Sequence, residues 1–200
     1  MAKYTDDRSF TDFVHKNIAV SKIYNEIGWV QEVLEEKYAE KIDRENGIDY
    51  IFKKDGIIKT VQERFRERKF QKYSDFTIRY RRDGNIHEAR RESEYYKMKA
   101  AFFTYGITNC LKTDIAECTD FIKYAIIDME KVYSKIDSGE IRIKDNGANF
   151  CKVIIENNQK IIECPVKFNK DQSSSFFPIE ISYLIDLFGE NIVIAQKGFL

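Results

Sequence analysis

One acid and one polar-basic pair stand at a spacing that could hold a metal ion and a phosphate together. Asp49 lies in Gly47-Ile48-Asp49, and Val61-Gln62-Glu63-Arg64 follows, with Gln62 thirteen positions after Asp49. A carboxylate and an amide oxygen are hard ligands of the kind Mg²⁺ takes. A metal so placed activates water and offsets phosphate charge. The neighbouring guanidinium of Arg64 suits a phosphate through its planar fork, but it cannot act as a base.

The stretch that must position these residues is Gly47 to Arg68, GIDYIFKKDGIIKTVQERFRER. Ile48, Tyr50 and Phe52 alternate with Asp49, Ile51 and Lys53, the period of a strand. Lys54-Asp55-Gly56 supplies the backbone angles of a hairpin turn. On the return strand, Ile57 to Phe65, the residues Val61, Glu63 and Phe65 face one way. Gln62, Arg64 and Arg66 face the other. The side chain of Glu63 is therefore expected on the face away from the metal, leaving only its main-chain carbonyl as a ligand.

These residues resemble the PD-(D/E)xK nuclease superfamily, in the branch with Gln at the acid position that includes Mrr-type restriction endonucleases and archaeal Holliday-junction resolvases. The departure is Arg64, where the family has Lys. The resemblance implies an α/β (α+β) fold with a restriction-endonuclease-like αβββαβ core and a mixed central sheet. It implies a metal-dependent endonuclease acting on DNA, with Asp49, Gln62 and Arg64 catalytic. Asp49, Gln62 and the Glu63 carbonyl would hold Mg²⁺, or Mn²⁺, helped by a Glu from the first helix. Glu26 is the first choice for that Glu and Glu32 the second. The alternative is a nuclease-like domain that binds nucleic acid or protein without cutting.

The remaining elements follow from periodicity. A short helix is expected over Ser9 to Lys16, carrying a structural or solvated His15. A long one is expected over Ser21 to Ile42, with Ile23, Ile27, Val30, Val33, Leu34 and Tyr38 at helical spacing. Asp75 to Arg81 reads as a half-buried strand, His87 to Lys99 as a helix, and Ala101 to Thr108 as a strand covered on both faces. Residues 1–110 would form the core. Residues 111–200 form a C-terminal α/β extension packed on it in one compact domain. In that extension Thr119 to Ile136 reads as a helix, and Cys151 to Phe168 as a hairpin turned at Asn157-Asn158. Pro178 would open a helix to Phe188, and Asn191 to Ala195 is a last strand.

Composition bounds the partners. Lys+Arg 33 and Asp+Glu 33 cancel, so no bulk charge favours nucleic acid. The segment from Glu63 to Arg91 is nevertheless basic, and Arg66, Arg68, Lys69, Lys72, Arg79, Arg81 and Arg82 are its candidate phosphate contacts. DNA is the expected partner, a second copy of the chain is left open, and no apolar run is long enough for a membrane. Cys110, Cys118, Cys151 and Cys164 form no Cys-x-x-Cys, so reduced thiols and a cytoplasmic location are expected.

Overall fold

In a computed structural model, which describes residues 2–82, 93–145, 149–170 and 174–200, the chain is mixed α/β. Helix α1 (Ala2–Val14) runs on into a π-helix (His15–Tyr24). β1 (Val30–Glu32), α2 (Glu36–Asn46), β2 (Tyr50–Lys54) and β3 (Ile57–Arg66) follow. The hairpin forms as its alternation requires. β2 and β3 pair antiparallel with Tyr50 opposite Val61, and Asp55 and Gly56 turn the chain with φ of +53° and +79°.

The expected helix over 21–42 is instead the end of the π-helix, a strand and the start of α2. Gly28 breaks the winding at φ +75°, a backbone region favourable to glycine. Val30 and Val33 are 66% and 95% exposed, so their helical spacing does not mark a buried stripe. β1 pairs with β2, Gln31 opposite Phe52. Residues 87–92 of the expected helix over 87–99 lie outside the described residues; over the rest, α3 (Glu94–Lys97) is a single turn.

β4 (Asp75–Arg82), α3, β5 (Phe102–Thr108), β6 (Phe121–Asp128) and α4 (Met129–Asp137) come next. They are followed by β7 (Ile141–Lys144), β8 (Lys152–Glu156), β9 (Gln159–Pro165), β10 (Lys167–Phe168), β11 (Ser174–Glu180), α5 (Ile181–Phe188) and β12 (Val193–Lys197). The expected helix over 119–136 divides into β6 and α4. β6 lies between β5 and β12, and burial on both faces erases the period-2 signal. Asp128 caps α4 by accepting from the Lys131 N–H at 3.1 Å. Pro178 sits inside β11, opposite Thr77 on β4 and past the end of β10, which reaches only Ser175 and Phe176. One side of the strand is unpaired there, where a missing N–H is tolerated.

The main sheet has six strands in the order β1-β2-β3-β5-β6-β12, antiparallel except for the parallel β3–β5 pair. β10-β11-β4 and β7-β9-β8 form two smaller sheets. One face of the main sheet, with Phe52, Val61, Phe65 and Ile126, packs under α1 and the π-helix. The other, with Phe103, Tyr105, Ile107 and Ile127, packs against β4, β11, α4 and α5. Cys110 and Cys118 form a disulfide with their Cα atoms 5.0 Å apart, against the expectation of thiols. The loop between β5 and β6 folds back on itself, which spacing along the chain did not reveal. Cys151 and Cys164 are thiols.

Gly106 on β5 marks a tight place in this packing. A Cβ there would lie 2.6 Å from the Phe121 ring and 3.0 Å from the Phe65 ring. Gly106→Ala should therefore destabilise the fold by about 1–3 kcal/mol, as overpacking does. Urea unfolding with an unchanged midpoint would contradict this.

Candidate functional site

Asp49 owes its place to the end of α2. Gly47 adopts φ +59°, and its N–H donates to the Asp43 carbonyl at 2.9 Å. A side chain at position 47 would meet Gln62 Oε1 at 3.0 Å and Met98 Cα at 3.4 Å. A glycine thus turns the chain sharply into β2 and lets Gln62 come close. The Asp49 N–H donates to the Val61 carbonyl at 2.8 Å. Asp49 Oδ2 accepts from the Glu63 N–H at 2.7 Å and from Gln62 Nε2 at 3.1 Å. The sequence-predicted acid and amide therefore meet. Burial lifts the Asp49 carboxyl to about 7, with Asp43 and Glu63 adding repulsion and the Glu63 N–H and Arg8 opposing it.

Asp49 lines a cleft of about 760 Å³. α1 contributes Arg8 and Asp12, α2 contributes Asp43, β3 contributes every residue from Gln62 to Arg66, and Glu67 follows just past its end. β4, α3 and β11 complete the wall with Arg79, Glu94, Lys97 and Phe176. Arg8 joins the two acids near it, bonding Asp43 at 2.6 Å and Asp12 at 3.3 Å. Of the expected phosphate contacts, Arg66 and Arg79 line the cleft. Arg68 and Lys72 are exposed elsewhere, and Arg81 is bound to Asp145 at 2.6 Å. Lys69 of that set also lines the cleft, and Lys97 and Lys112 are cleft cations outside it.

Glu63 carries more than its main chain. Its carboxylate is buried beneath the π-helix, 3.0 Å from His15 Nδ1, and Tyr24 donates to it at 2.5 Å. Tyr24 also reaches Thr104 Oγ1 at 2.9 Å, and the His15 ring stacks on Tyr50 at 3.4 Å. The π winding makes this convergence. His15 and Tyr24 are nine residues apart, which in an α-helix is two and a half turns and puts them on opposite sides. With i→i+5 bonds, such as Asn25 N–H to the Val20 carbonyl at 2.9 Å, a turn takes roughly 4.4 residues. Nine residues are then close to two turns, and both side chains point at Glu63. Sequence reading gave His15 no partner, because a strand acid 48 residues away leaves no local mark.

Arg64 shares the Gln62 face, but Glu94 takes its head. Arg64 Nη2 donates to Glu94 Oε1 and Oε2 at 2.7 and 2.9 Å, and Nη1 donates to the Thr77 hydroxyl at 3.1 Å and to the Thr77 carbonyl. Glu94 also accepts from the Arg79 N–H at 2.9 Å. The expected cation at the metal's edge is thus a strut tying β3 to β4 and α3. Glu26 is exposed in the turn after the π-helix, outside the cleft lining, with its charge felt by Tyr124. Glu32 pairs with Lys53 at 3.2 Å. The N-terminal acid that does line the cleft is Asp12, and its only sequence mark is the i, i+4 pairing with Arg8.

Among the described residues no three His, Cys, Asp or Glu side chains converge on one point. An ion at Asp49 would therefore rest on mixed donors: the carboxylate, the Gln62 amide oxygen and main-chain carbonyls. The Gln62 nitrogen donates to Asp49 here, and rotating the amide would turn its oxygen to the same place. A raised acid with two further acids near it is a place that favours a cation, so these residues fit one. No described helix is long and apolar enough to cross a membrane. Comparison with protein families, curated proteins and solved structures finds no match.

The raised carboxyl has a consequence for stability. Asp49 moves from 3.8 to about 7 on folding, so the folded chain holds this proton more tightly than the unfolded one. That contribution is complete below about pH 4 and is lost as the pH rises through 7. Asp49→Asn keeps the acceptor without the charge. It should match wild type near pH 4 and exceed it at pH 8 by roughly 1–3 kcal/mol. Equal urea midpoints at pH 8 would show that the carboxylate is not strained.

Proposed function

We propose that the cleft binds the backbone of DNA and hydrolyses a phosphodiester bond, as a nuclease resembling the PD-(D/E)xK superfamily. The observation that carries this is the Asp49–Gln62 pair, 3.1 Å apart, in a cleft whose cations include Arg66, Lys69, Arg79 and Lys97. The topology bears on it in part. The resemblance implies helix, three strands, helix and strand around one mixed sheet, with Asp75–Arg81 as the third strand. That strand, β4, instead joins the β10-β11-β4 sheet, while β1, β2, β3 and β5 are neighbours in the main sheet and β5 runs parallel to β3. The acid enters at the start of β2, and Gln62 lies across from it on β3.

Asp49, Gln62 and the Glu63 carbonyl would hold Mg²⁺ or Mn²⁺. Such an ion, when bound, supplies an acidified water and offsets charge on the phosphate. The Glu63 N–H fixes the Asp49 carboxylate, and Arg8 keeps Asp43 compensated beside it. Arg66, Lys69 and Arg79 would position phosphates and add affinity without reading sequence. Arg64, saturated by Glu94 and Thr77, would set the strand that carries Gln62 rather than touch the phosphate.

That saturation favours a second reading, in which the cleft binds DNA without cutting it. Plasmid and branched DNA incubated with Mg²⁺ or Mn²⁺ separate the two. On the first reading wild type cleaves, and Asp49→Ala is slower by at least about 10²-fold, as on loss of a charge-stabilising group. Gel-shift affinity measured without metal should hold. Arg66→Ala and Arg79→Ala should each lower the slope of log affinity against log salt by about one. Binding without cleavage would select the second reading. Absence of binding at low salt would remove both.

A further inference from the structure

The small sheet β7-β9-β8 leaves one strand edge with a pattern that fits itself. β8 is the last strand of that sheet and pairs, among the described residues, with β9 alone. The turn Asn157-Asn158 has both residues at positive φ, +49° and +63°, and closes on Glu156 opposite Gln159. The pair that closes a two-residue turn exchanges its hydrogen bonds. Alternation then points the main-chain groups of Lys152, Ile154 and Glu156 at β9, and those of Val153 and Ile155 outward. The same two outward residues carry the apolar exposure. Ile155 is 74% exposed and Val153 36%. An exposed edge strand with apolar side chains is a template for another strand.

We propose that this edge binds a second copy of the chain, β8 against β8, antiparallel about Ile154. The sequence Lys152-Val153-Ile154-Ile155-Glu156 is self-complementary in that register. Val153 faces Ile155 of the second copy, and their outward N–H and C=O groups exchange bonds as a hydrogen-bonded pair. Ile154 faces Ile154. Lys152 faces Glu156 at one end, and Glu156 faces Lys152 at the other. Opposite charges directly across an antiparallel pair stabilise it, and like charges there oppose it. A strand of uniform charge would meet repulsion at one end, whereas a second copy meets attraction at both. Lys152 and Glu156 are already bonded to Glu163 and Arg142, so the new contacts would extend these pairs into a charge ladder. The register is fixed by the hairpin turn and does not depend on what the cleft binds. The area is small for a standard interface, which sets the dimer as weak and concentration-dependent.

Sedimentation velocity between about 1 and 200 µM tests this. The mass should climb from 23.7 kDa towards twice that value as concentration rises. Ile155→Lys alters a largely exposed side chain, so circular dichroism should stay unchanged while the dissociation constant rises at least ten-fold. Position is tested by cross-linking with oxidised glutathione. Ile154→Cys places its own copy directly opposite, where Cα atoms of a non-hydrogen-bonded pair are about 4.5 Å apart and within disulfide reach. It should give a covalent dimer on a non-reducing gel, and Val153→Cys should give little. A wild-type chain monomeric at 200 µM overturns the proposal. So does a dimer that survives Ile155→Lys, or one that cross-links through position 153 in preference to 154.

Discussion

The carboxylate of Glu63, buried under the N-terminal helix, is the constraint on which the rest of this structure hangs. A buried carboxylate costs several kcal/mol unless donors surround it. Here His15 and Tyr24 supply them from one face of a π-helix, and Thr104 extends the chain of bonds into β5. Only one seating of the helix brings both donors to the acid, so a local polar network fixes the register of the N-terminal segment on the sheet. His15 Nε2 remains buried without a partner among the described residues. That loss, about 1–3 kcal/mol for an unsatisfied group, is accepted in a place where the opposite ring nitrogen holds the network together. π-turns concentrate at functional sites, and this one sits directly behind the cleft.

The same residue joins the two faces of β3. Its side chain turns to the helix, while its N–H turns to Asp49. Whatever seats the π-helix therefore also seats Asp49. The acid is strained by this arrangement, since burial and two neighbouring carboxylates push its proton affinity up. An isolated fold would be more stable with an amide at position 49. A site meant to receive a cation is, by contrast, improved by unbalanced negative charge. If the proposed cation binds there, stability and binding make opposite demands, a conflict common at functional positions.

The hairpins were legible in the sequence, and their legibility has a cause. Asp55-Gly56 and Asn157-Asn158 accept positive φ readily, and alternation on either side leaves one register. The Asp49–Gln62 meeting followed from it. Elements that depend on distant partners were not legible. Ile23, Ile27 and Val30 have helical spacing, yet Gly28 and a pairing with β2 turn Val30 into strand. Phe121 to Asp128 is apolar throughout because both faces are covered, and an apolar run does not distinguish strand from helix. The Cys110–Cys118 disulfide depends on a loop folding back on itself. Neither local periodicity nor residue spacing encodes that.

Arg64 shows where strand parity stops being informative. Parity places it on the Gln62 face, and there it lies. A guanidinium is long enough, however, that its head goes to the strongest acceptor within reach. Glu94, thirty residues on, offers both oxygens at 2.7 and 2.9 Å. A part-buried pair of this kind, in which one guanidinium nitrogen serves both oxygens, is costly to break from the Glu94 side, since Arg64 would be left with an uncompensated charge. Glu94, the first residue of α3, holds two things at once: the Arg64 head and the Arg79 N–H. The strut thus defines one wall of the cleft, which Arg66, Lys69, Arg79 and Lys97 also line. Charge alternation along β3 was visible from the start. Which of its arginines faces outward was decided by an acid on another element.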